Sequence, residues 1–188
     1  MLEFSVKEYP DSDRNRHYLG REYMFHRKWN EAIDTLLYHL KMENATWKDE
    51  RAASMRFIAR CYRNLNRIDE ARMWLKKATV EAPHLRDAYV ELALLENDEK
   101  NWLEVDRYCR DALKIDINGR SYINEPFTFD ETVYDLLSVS NYYLGNFKDA
   151  LNYVNEALKI NDKNKRINKN KELIEELVNN EDNNELSR

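Results

Sequence analysis

The chain has 188 residues, of which 35% are charged, only three are Gly and three are Pro, and the formal net charge is −5. Because Gly and Pro supply most tight turns, this composition excludes β-sandwiches, β-barrels and Gly-rich phosphate loops and favours amphipathic helices. The negative charge argues against general nucleic-acid affinity, which depends on neutralising phosphates.

Membrane insertion and secretion are also disfavoured. No apolar run approaches the roughly 18 residues needed to span a bilayer, and the N-terminal MLEFSVKEYPDSD lacks the basic-then-apolar order of a signal peptide. The two cysteines, Cys61 and Cys109, lie inside helical patterns and match no metal or redox spacing, which is typical of small core residues in a reducing compartment. We therefore expect a cytoplasmic all-α protein.

Residues 1–12 are interpreted as a lead-in or linker that ends in the acidic triplet DSD at 11–13. An Asp-X-Asp triplet binds the metal diphosphate of nucleotide sugars in many glycosyltransferases, where it ends a buried strand. Here the triplet follows Pro10 and precedes a helical pattern, so its residues are interpreted as a helix start.

Four later segments share one pattern: HRKWNEAIDTLLYHL (26–40), LNRIDEARMWLKKATVEAP (65–83), EKNWLEVDRYCRDALKID (99–116) and LGNFKDALNYVNEALKIND (144–162). An apolar residue follows each turn, at Trp29, Ile68, Trp102 and Phe147. A small residue comes three positions later, at Ala32, Ala71, Val105 and Ala150. A second small residue lies near the helix end, at Ala78, Ala112 and Ala157, with His39 as the departure in the first segment.

This pattern resembles the tetratricopeptide repeat, a 34-residue helix–turn–helix unit whose two helices cross at small residues. The small pair of each first helix is matched by Leu19-Gly20, Ile58-Ala59, Leu92-Ala93 and Leu137-Ser138. The resemblance implies a right-handed helical solenoid of about four units over 13–164, at about 13–47, 52–85, 86–119 and 131–164.

The distance between successive units exceeds 34 residues at two places, because extra residues occur at 42–51 between units one and two and at 120–130 between units three and four. These insertions are either inert connectors or functional loops. Tyr122, Phe127 and Phe129 in the second insertion are expected to pack on their own chain or on a second copy in a homodimer. An apolar stripe predicts a capping helix over 165–179, and 180–188 is expected to be disordered. The stripe consists of Ile167, Ile174, Leu177 and Val178.

No catalytic residue, metal ligand or cofactor site is predicted. The four histidines show no zinc-ligand spacing or shared facing, and no nucleophile elbow or Gly-rich loop occurs. Adjacent acids such as Asp49 and Glu50 are interpreted as solvated charges at a helix start.

A binding groove is predicted on the first helices of the units, basic at its beginning and aromatic at its end. The candidate groove residues are Arg14, His17, Arg21, Phe25, Arg56, Arg60, Arg63, Tyr142 and Tyr143. Arg suits carboxylates and phosphates through its planar fork. The alternative is that these arginines form ordinary surface salt bridges with neighbours such as Glu22, Glu50 and Asp87.

Three stretches, 11–33, 47–83 and 83–96, also resemble the helical region that follows the catalytic domain in many bacterial family 2 glycosyltransferases. The most specific string runs from Asp13 to Tyr23 and contains Tyr-Leu-Gly-Arg-Glu-Tyr. The resemblance implies a non-catalytic domain that recognises an acceptor, docks on the catalytic domain of its parent chain, or dimerises. The other hypothesis is an independent adaptor that binds an extended peptide in the groove.

Overall fold

The computed structural model describes residues 2–116 and 122–186, with side chains up to residue 180. Within these residues the chain forms ten α-helices and one short 3₁₀ helix, and no strand. The helices are α1 Leu2–Glu8, α2 Asp13–Phe25, α3 Trp29–Lys41, α4 Lys48–Asn64, α5 Ile68–Glu81, α6 Asp87–Asp98, α7 Trp102–Leu113, α8 Thr132–Tyr143, α9 Phe147–Ile160 and α10 Lys165–Leu186, with the 3₁₀ helix at Pro126–Thr128. The predicted all-α class is confirmed.

Helices α2 to α9 form four helix–turn–helix pairs that share one type of turn. Its second residue has positive φ in every pair: Arg27 (58°), Asn66 (59°), Lys100 (59°) and Gly145 (79°). The amide that follows each of them donates to the carbonyl five residues earlier at 2.9 Å, as in Lys28 N to Tyr23 O and Asn146 N to Asn141 O. This is the bond that closes a helix with a left-handed residue after its last turn. The repeat is therefore visible in the backbone as well as in the side chains.

The chain divides into two compact units, Met1–Ala88 and Tyr89–Arg188. In the first unit, α2 and α3 cross at Gly20, where a Cβ atom would lie 2.5 Å from Cγ of the fully buried Leu36. Helix α4 is buried on all sides from Ala52 to Ala59. Its apolar residues Ala52 and Met55 pack with Ala78 of α5.

In the second unit, α8, α9 and α10 share one apolar core. Ala150, Val154 and Ala157 of α9 pack with Ile167 and Ile174 of α10. The Trp102 ring stacks on Tyr143 with 4.2 Å between ring centroids, and Asn141 Nδ2 donates to Asp106 Oδ1 at 2.8 Å.

The residues of the predicted packing pattern are buried or half-buried. The small and aliphatic positions Leu19, Gly20, Ala32, Ala59, Ala71, Ala78, Ala112, Ala150 and Ala157 are buried. The residues that begin the second helices, Trp29, Ile68, Trp102 and Phe147, are half-buried. Small residues at the crossings and larger ones beside the turns are what close helix packing requires.

The chain ends depart from the prediction. Residues 2–8 are helical instead of a linker, Val6 is buried, and Glu3 Oε1 accepts a hydrogen bond from the Tyr23 hydroxyl at 2.8 Å. The last helix does not end at 179: α10 continues to Leu186, so most of the stretch expected to be disordered is helical, and residues 187–188 lie outside the described residues. No Gly or Pro follows Lys165 to stop the helix.

Arg51 connects the insertion at 42–51 to α3 and α5. Arg51 Nη1 donates to the carbonyl oxygens of Leu40 and Ala45, and Arg51 Nε pairs with Glu81 Oε1 at 2.7 Å. In the second insertion Ile123 and Thr128 are buried while Tyr122 is 61% exposed, and residues 120–121 lie outside the described residues. None of the described helices combines the length and the apolar character that crossing a bilayer requires.

Candidate functional site

Four arginines and one aromatic side chain on α2 and α4 are exposed or half-buried, and we call them the basic face. Its members are the exposed Arg14, Phe25 and Arg63 and the half-buried Arg21 and Arg60. On α2 the spacing of seven and then four residues places Arg14, Arg21 and Phe25 on one stripe. Phe25 is 65% exposed. Because α2 and α4 pack against each other, the two stripes lie in the same region of the first unit.

Aromatic rings hold two arginines of the basic face in place. The Arg21 guanidinium lies 4.8 Å from the centroid of the Tyr18 ring and 6.0 Å from that of Phe25. The Arg60 guanidinium lies 5.4 Å from the Phe57 centroid. Among the described residues, Arg21 forms no ion pair with a carboxylate. An oriented guanidinium that keeps its fork available suits a carboxylate or phosphate of a partner.

The prediction that His17 and Arg56 line a surface groove is wrong, because both side chains are buried. His17 is 2% exposed and Arg56 is 1% exposed. The Arg56 Nη1 atom lies 3.5 Å from Oδ1 of the fully buried Asp87. Helical spacing identifies which residues lie on the same side of a helix. Whether each of these side chains is exposed or buried depends on the helices packed around it. The alternative prediction of surface salt bridges names the correct partners, since Arg56 lies beside Asp87 and Arg14 Nε lies 3.8 Å from Glu50 Oε2, but the Arg56–Asp87 pair is buried and not on the surface.

The two units differ in charge. Residues 1–88 contain 17 basic and 14 acidic side chains and thus have a formal charge of +3. Residues 89–188 contain 13 basic and 21 acidic side chains and have a formal charge of −8. The basic face thus belongs to a positively charged unit of an acidic protein.

Tyr142 and Tyr143, the aromatic end of the predicted groove, line a cleft between α8 and α10 in the second unit. The cleft has a volume of about 240 Å³, and Val139, Leu173 and Ile174 supply apolar walls. Tyr143 is 58% exposed and meets Tyr142 edge to face at 5.2 Å. This cleft can accept an apolar side chain.

A polar cluster that was not predicted lies where α2, α3 and α4 meet in the first unit. The Ser54 hydroxyl bridges two imidazoles, at 2.7 Å from His17 Nδ1 and 3.0 Å from His39 Nδ1. His39 Nε2 lies 3.5 Å from Glu50 Oε1. Ligand atoms of Asp13, His39 and Glu50 all lie within 4.8 Å of one another. The expectation that the histidines share no facing is wrong, since the His17 and His39 ring centroids are 5.5 Å apart.

Burial and nearby positive charge decide the protonation of His17. Burial lowers its pKa from 6.5 to about 3, and His39, Arg21, Arg56 and Arg14 act in the same direction. The His17 ring is therefore neutral at physiological pH, with one nitrogen able to donate and the other able to accept.

The sequence contains a weak signal for this cluster. His39 occupies the position that is Ala78, Ala112 and Ala157 in the other pairs. Contrary to its interpretation as a solvated charge, Glu50 is 3% exposed, because its side of α4 faces the junction with α2 and α3. A polar residue at a small packing position is a sign that another polar residue faces it.

The cysteines are part of the core. Both are free thiols and fully buried, and burial raises the pKa of Cys61 to about 12 and that of Cys109 still further above its usual range. Neither thiol has the depressed pKa of a nucleophile.

Comparisons with known proteins agree with this architecture. A tetratricopeptide-repeat model matches residues 57–83, and a search of the curated proteins found no match. Among solved structures, the chain is similar to MamA (17% identity, 86% of this chain and 85% of that chain, TM-score 0.67). It is also similar to PilW, described as a type IV pilus biogenesis factor. The sequence identity is 13%, the match covers 89% of this chain and 71% of PilW, and the TM-score is 0.70. A third similar structure is that of a thermophilic tetratricopeptide-repeat protein of Thermus thermophilus. The sequence identity is 14%, the match covers 92% of this chain and 86% of that protein, and the TM-score is 0.60.

The chain is therefore an all-helical repeat protein with a tetratricopeptide-repeat region and the fold of tetratricopeptide solenoids.

Proposed function

We propose that the chain is a non-catalytic helical-repeat scaffold that binds an acidic segment of a protein partner on its basic face. The observation that carries this proposal is Arg21, which is oriented over two aromatic rings and forms no ion pair with a carboxylate among the described residues. Helical-repeat proteins characteristically use extended surfaces to bind other proteins.

The chemistry of the basic face selects the partner. Arg21 offers an oriented guanidinium group, Arg63 adds an exposed positive side chain, and the exposed Phe25 offers an apolar contact beside them. A partner segment that alternates Asp or Glu with an aromatic or aliphatic residue satisfies both requirements. The charge of +3 on the first unit attracts such a segment before contact.

The cleft between α8 and α10 supports the interpretation of the chain as a peptide-binding adaptor. Its walls of Tyr142, Tyr143 and Leu173 suit one apolar side chain of an extended peptide. This second contact lies in the other unit and needs no acidic group.

The resemblance to the helical region of family 2 glycosyltransferases suggests the partner more narrowly. It rests on the residues quoted above, 11–33 above all, and it points to the catalytic domain of a parent enzyme or to that enzyme's acceptor. Determining the reading frame around this coding sequence tests it. A frame that continues into a GT-A domain supports the enzyme-associated role, and a frame without one leaves the independent adaptor.

A second copy of the chain is the other candidate partner. In the second insertion Tyr122 is exposed and Phe127 and Phe129 are half-buried, and these rings would form the contact with a second copy. Multi-angle light scattering of the purified chain distinguishes a dimer from a monomer. The two free thiols are in keeping with the cytoplasmic location that we infer.

Binding of a fluorescein-labelled peptide with alternating Glu and Phe, followed by fluorescence anisotropy, tests the basic face. We expect Arg21→Glu to weaken binding at least fivefold, because it replaces the oriented cation by a repelling charge. Lys76→Glu is the matched control, since it makes the same charge change at an exposed position of α5, and it should change the affinity less than twofold. Equal losses in the two variants would show that only net charge matters and would contradict the proposal.

A further inference from the structure

We propose that Asp13, His39 and Glu50 bind one divalent transition-metal ion, zinc before others, at the junction of α2, α3 and α4. One residue comes from each helix: Asp13 from the first turn of α2, His39 from the last turn of α3 and Glu50 from the first turn of α4. Their ligand atoms lie within 4.8 Å of one another. The site does not depend on the partner proposed above.

Two of the three ligands are buried with polar atoms that no hydrogen bond satisfies. His39 is 0% and Glu50 is 3% exposed. Within the described part of the chain, neither His39 Nε2 nor Glu50 Oε2 has a hydrogen-bond partner. Burying such atoms without a partner is strongly unfavourable. A cation between them satisfies both atoms together.

The distance between His39 and Glu50 fits two ligands of one metal ion better than a direct hydrogen bond. His39 Nε2 and Glu50 Oε1 are 3.5 Å apart, whereas a charge-assisted hydrogen bond between an imidazolium and a carboxylate is about 2.7–2.9 Å long. In tetrahedral zinc sites with bonds of about 2.1 Å, neighbouring ligand atoms are about 3.4 Å apart.

The Ser54 hydroxyl provides the support that a metal-binding imidazole needs. A histidine that binds a metal through Nε2 carries its proton on Nδ1 and donates it to a neighbour. Ser54 Oγ is 3.0 Å from His39 Nδ1 and can accept that proton while donating its own to His17 Nδ1 at 2.7 Å. This order of donors leaves the His39 Nε2 lone pair directed at the two carboxylates.

The ligand types favour zinc over magnesium or calcium. Imidazole nitrogen is a ligand of zinc, copper, iron and nickel, whereas magnesium and calcium prefer oxygen alone. Two carboxylates balance the charge of a divalent ion. Asp13 is only half-buried, so water can reach the fourth coordination position from its side.

Arg14 competes with the metal. Its Nε lies 3.8 Å from Glu50 Oε2, and its side chain is 61% exposed, so it can leave the carboxylate when a divalent ion binds. Removal of the Arg14 charge should therefore strengthen metal binding. A hydrogen-bond network with a purely structural role would show no such effect.

Calorimetric titration of the EDTA-treated, dialysed full chain with ZnCl₂ tests the site, with circular dichroism at 222 nm to confirm that each variant is folded. We expect one zinc ion per chain with a micromolar or lower Kd. Asp13→Asn, at the half-buried ligand, should weaken binding at least tenfold, and Glu50→Gln should abolish it. Arg14→Gln should tighten binding about threefold or more. Titration with CoCl₂ should produce the visible absorption of low-symmetry cobalt, and this absorption should be lost in Glu50→Gln.

The control is His84→Gln, because His84 forms an exposed pair with Asp49 at 2.8 Å outside the cluster. It should retain one zinc ion at unchanged affinity. Absence of binding to the wild-type chain at 100 µM zinc (about a hundred times a micromolar Kd) would overturn the proposal. Loss of binding in His84→Gln together with unchanged binding in folded Asp13→Asn would equally overturn it, because the zinc would then be on the surface. An unchanged affinity in Arg14→Gln would contradict the competition and with it the assigned position of the ion.

Discussion

At the scale of single residues, the main departure from the repeat is His39. The other pairs place Ala78, Ala112 and Ala157 at this crossing, whereas the first pair places an imidazole there. Its ring is accommodated because Ser54, a small polar residue, faces it from α4 at hydrogen-bond distance. The substitution thus converts an apolar crossing into a buried polar network, which rigidifies a core only when its members are satisfied.

The buried His17 predicts a pH-dependent stability. Its folded-state pKa is about 3 against 6.5 in the unfolded chain, so between these values the unfolded chain binds more protons, and stability falls as the pH falls. The slope from His17 is at most about 1.4 kcal/mol per pH unit. Urea unfolding at pH 6.5 and 4.5, with EDTA present, should show a loss of up to about 2 kcal/mol from this residue.

His17→Asn should flatten that pH dependence while lowering the stability at pH 7, because the ring packing is lost. His26→Gln is the control, since it removes an exposed histidine outside the buried network, and it should retain the slope of the wild-type chain. An equally steep slope in His17→Asn would assign the acid sensitivity to other groups.

At the scale of elements, the repeat is defined by how the first helices end. Arg27, Asn66, Lys100 and Gly145 have the same left-handed conformation, but only one of them is Gly. A side chain in this conformation costs about 1–2 kcal/mol. The three turns without glycine keep the left-handed conformation because the backbone amide of the next residue donates a hydrogen bond to the preceding helix, and because the second helix of the pair begins directly after the turn.

The turns can be compared by a matched pair of substitutions. Gly145→Ala should destabilise the chain by about 1 kcal/mol, because strain at positive φ outweighs the gain in unfolded-state entropy. The new methyl group meets no steric obstacle, since no atom beyond the two adjacent residues lies within 4 Å of a Cβ built there. Lys100→Gly should be neutral or stabilising by up to about 1 kcal/mol. Chemical denaturation monitored by helix content measures both, and a stabilising Gly145→Ala would contradict this account of the turn.

Helices α2 and α4 show how far the sequence predicts a binding surface. Both have basic residues at helical spacing, and Arg21, Arg60 and Arg63 are at least partly exposed. Arg56, four residues before Arg60, is buried beside Asp87. The spacing is a property of one helix, whereas the exposure depends on helices packed around it, which the spacing does not specify.

At the scale of the whole molecule, each unit contains one buried thiol: Cys61 lies in Met1–Ala88 and Cys109 in Tyr89–Arg188. In repeat proteins stability is mainly a sum of local and nearest-neighbour terms, so the two thiols report on the opening of their own units. Helix α10 covers the core of the second unit through Ile167 and Ile174.

We expect neither thiol of the native chain to react readily with a thiol reagent, because both are fully buried and their pKa values are raised. Ile174→Ala, which removes core packing worth about 2–5 kcal/mol, should accelerate labelling of Cys109 at least tenfold more than that of Cys61. Single-cysteine variants, Cys61→Ala and Cys109→Ala, separate the two rates. Equal acceleration at both thiols would show that the chain opens as one cooperative block.

The helical class and the repeat can be predicted from the sequence, because the spacing of apolar and small residues within one helix pair is local information. Residues such as Trp29, Ala32 and Gly20 indicate their packing roles by position alone. The 3.5 Å distance between His39 and Glu50 beside Asp13 follows from tertiary packing alone. The same is true of the burial of Arg56, whereas Arg21 is only half-buried. These relations depend on how three separate helices pack, and no periodicity within a single helix encodes them.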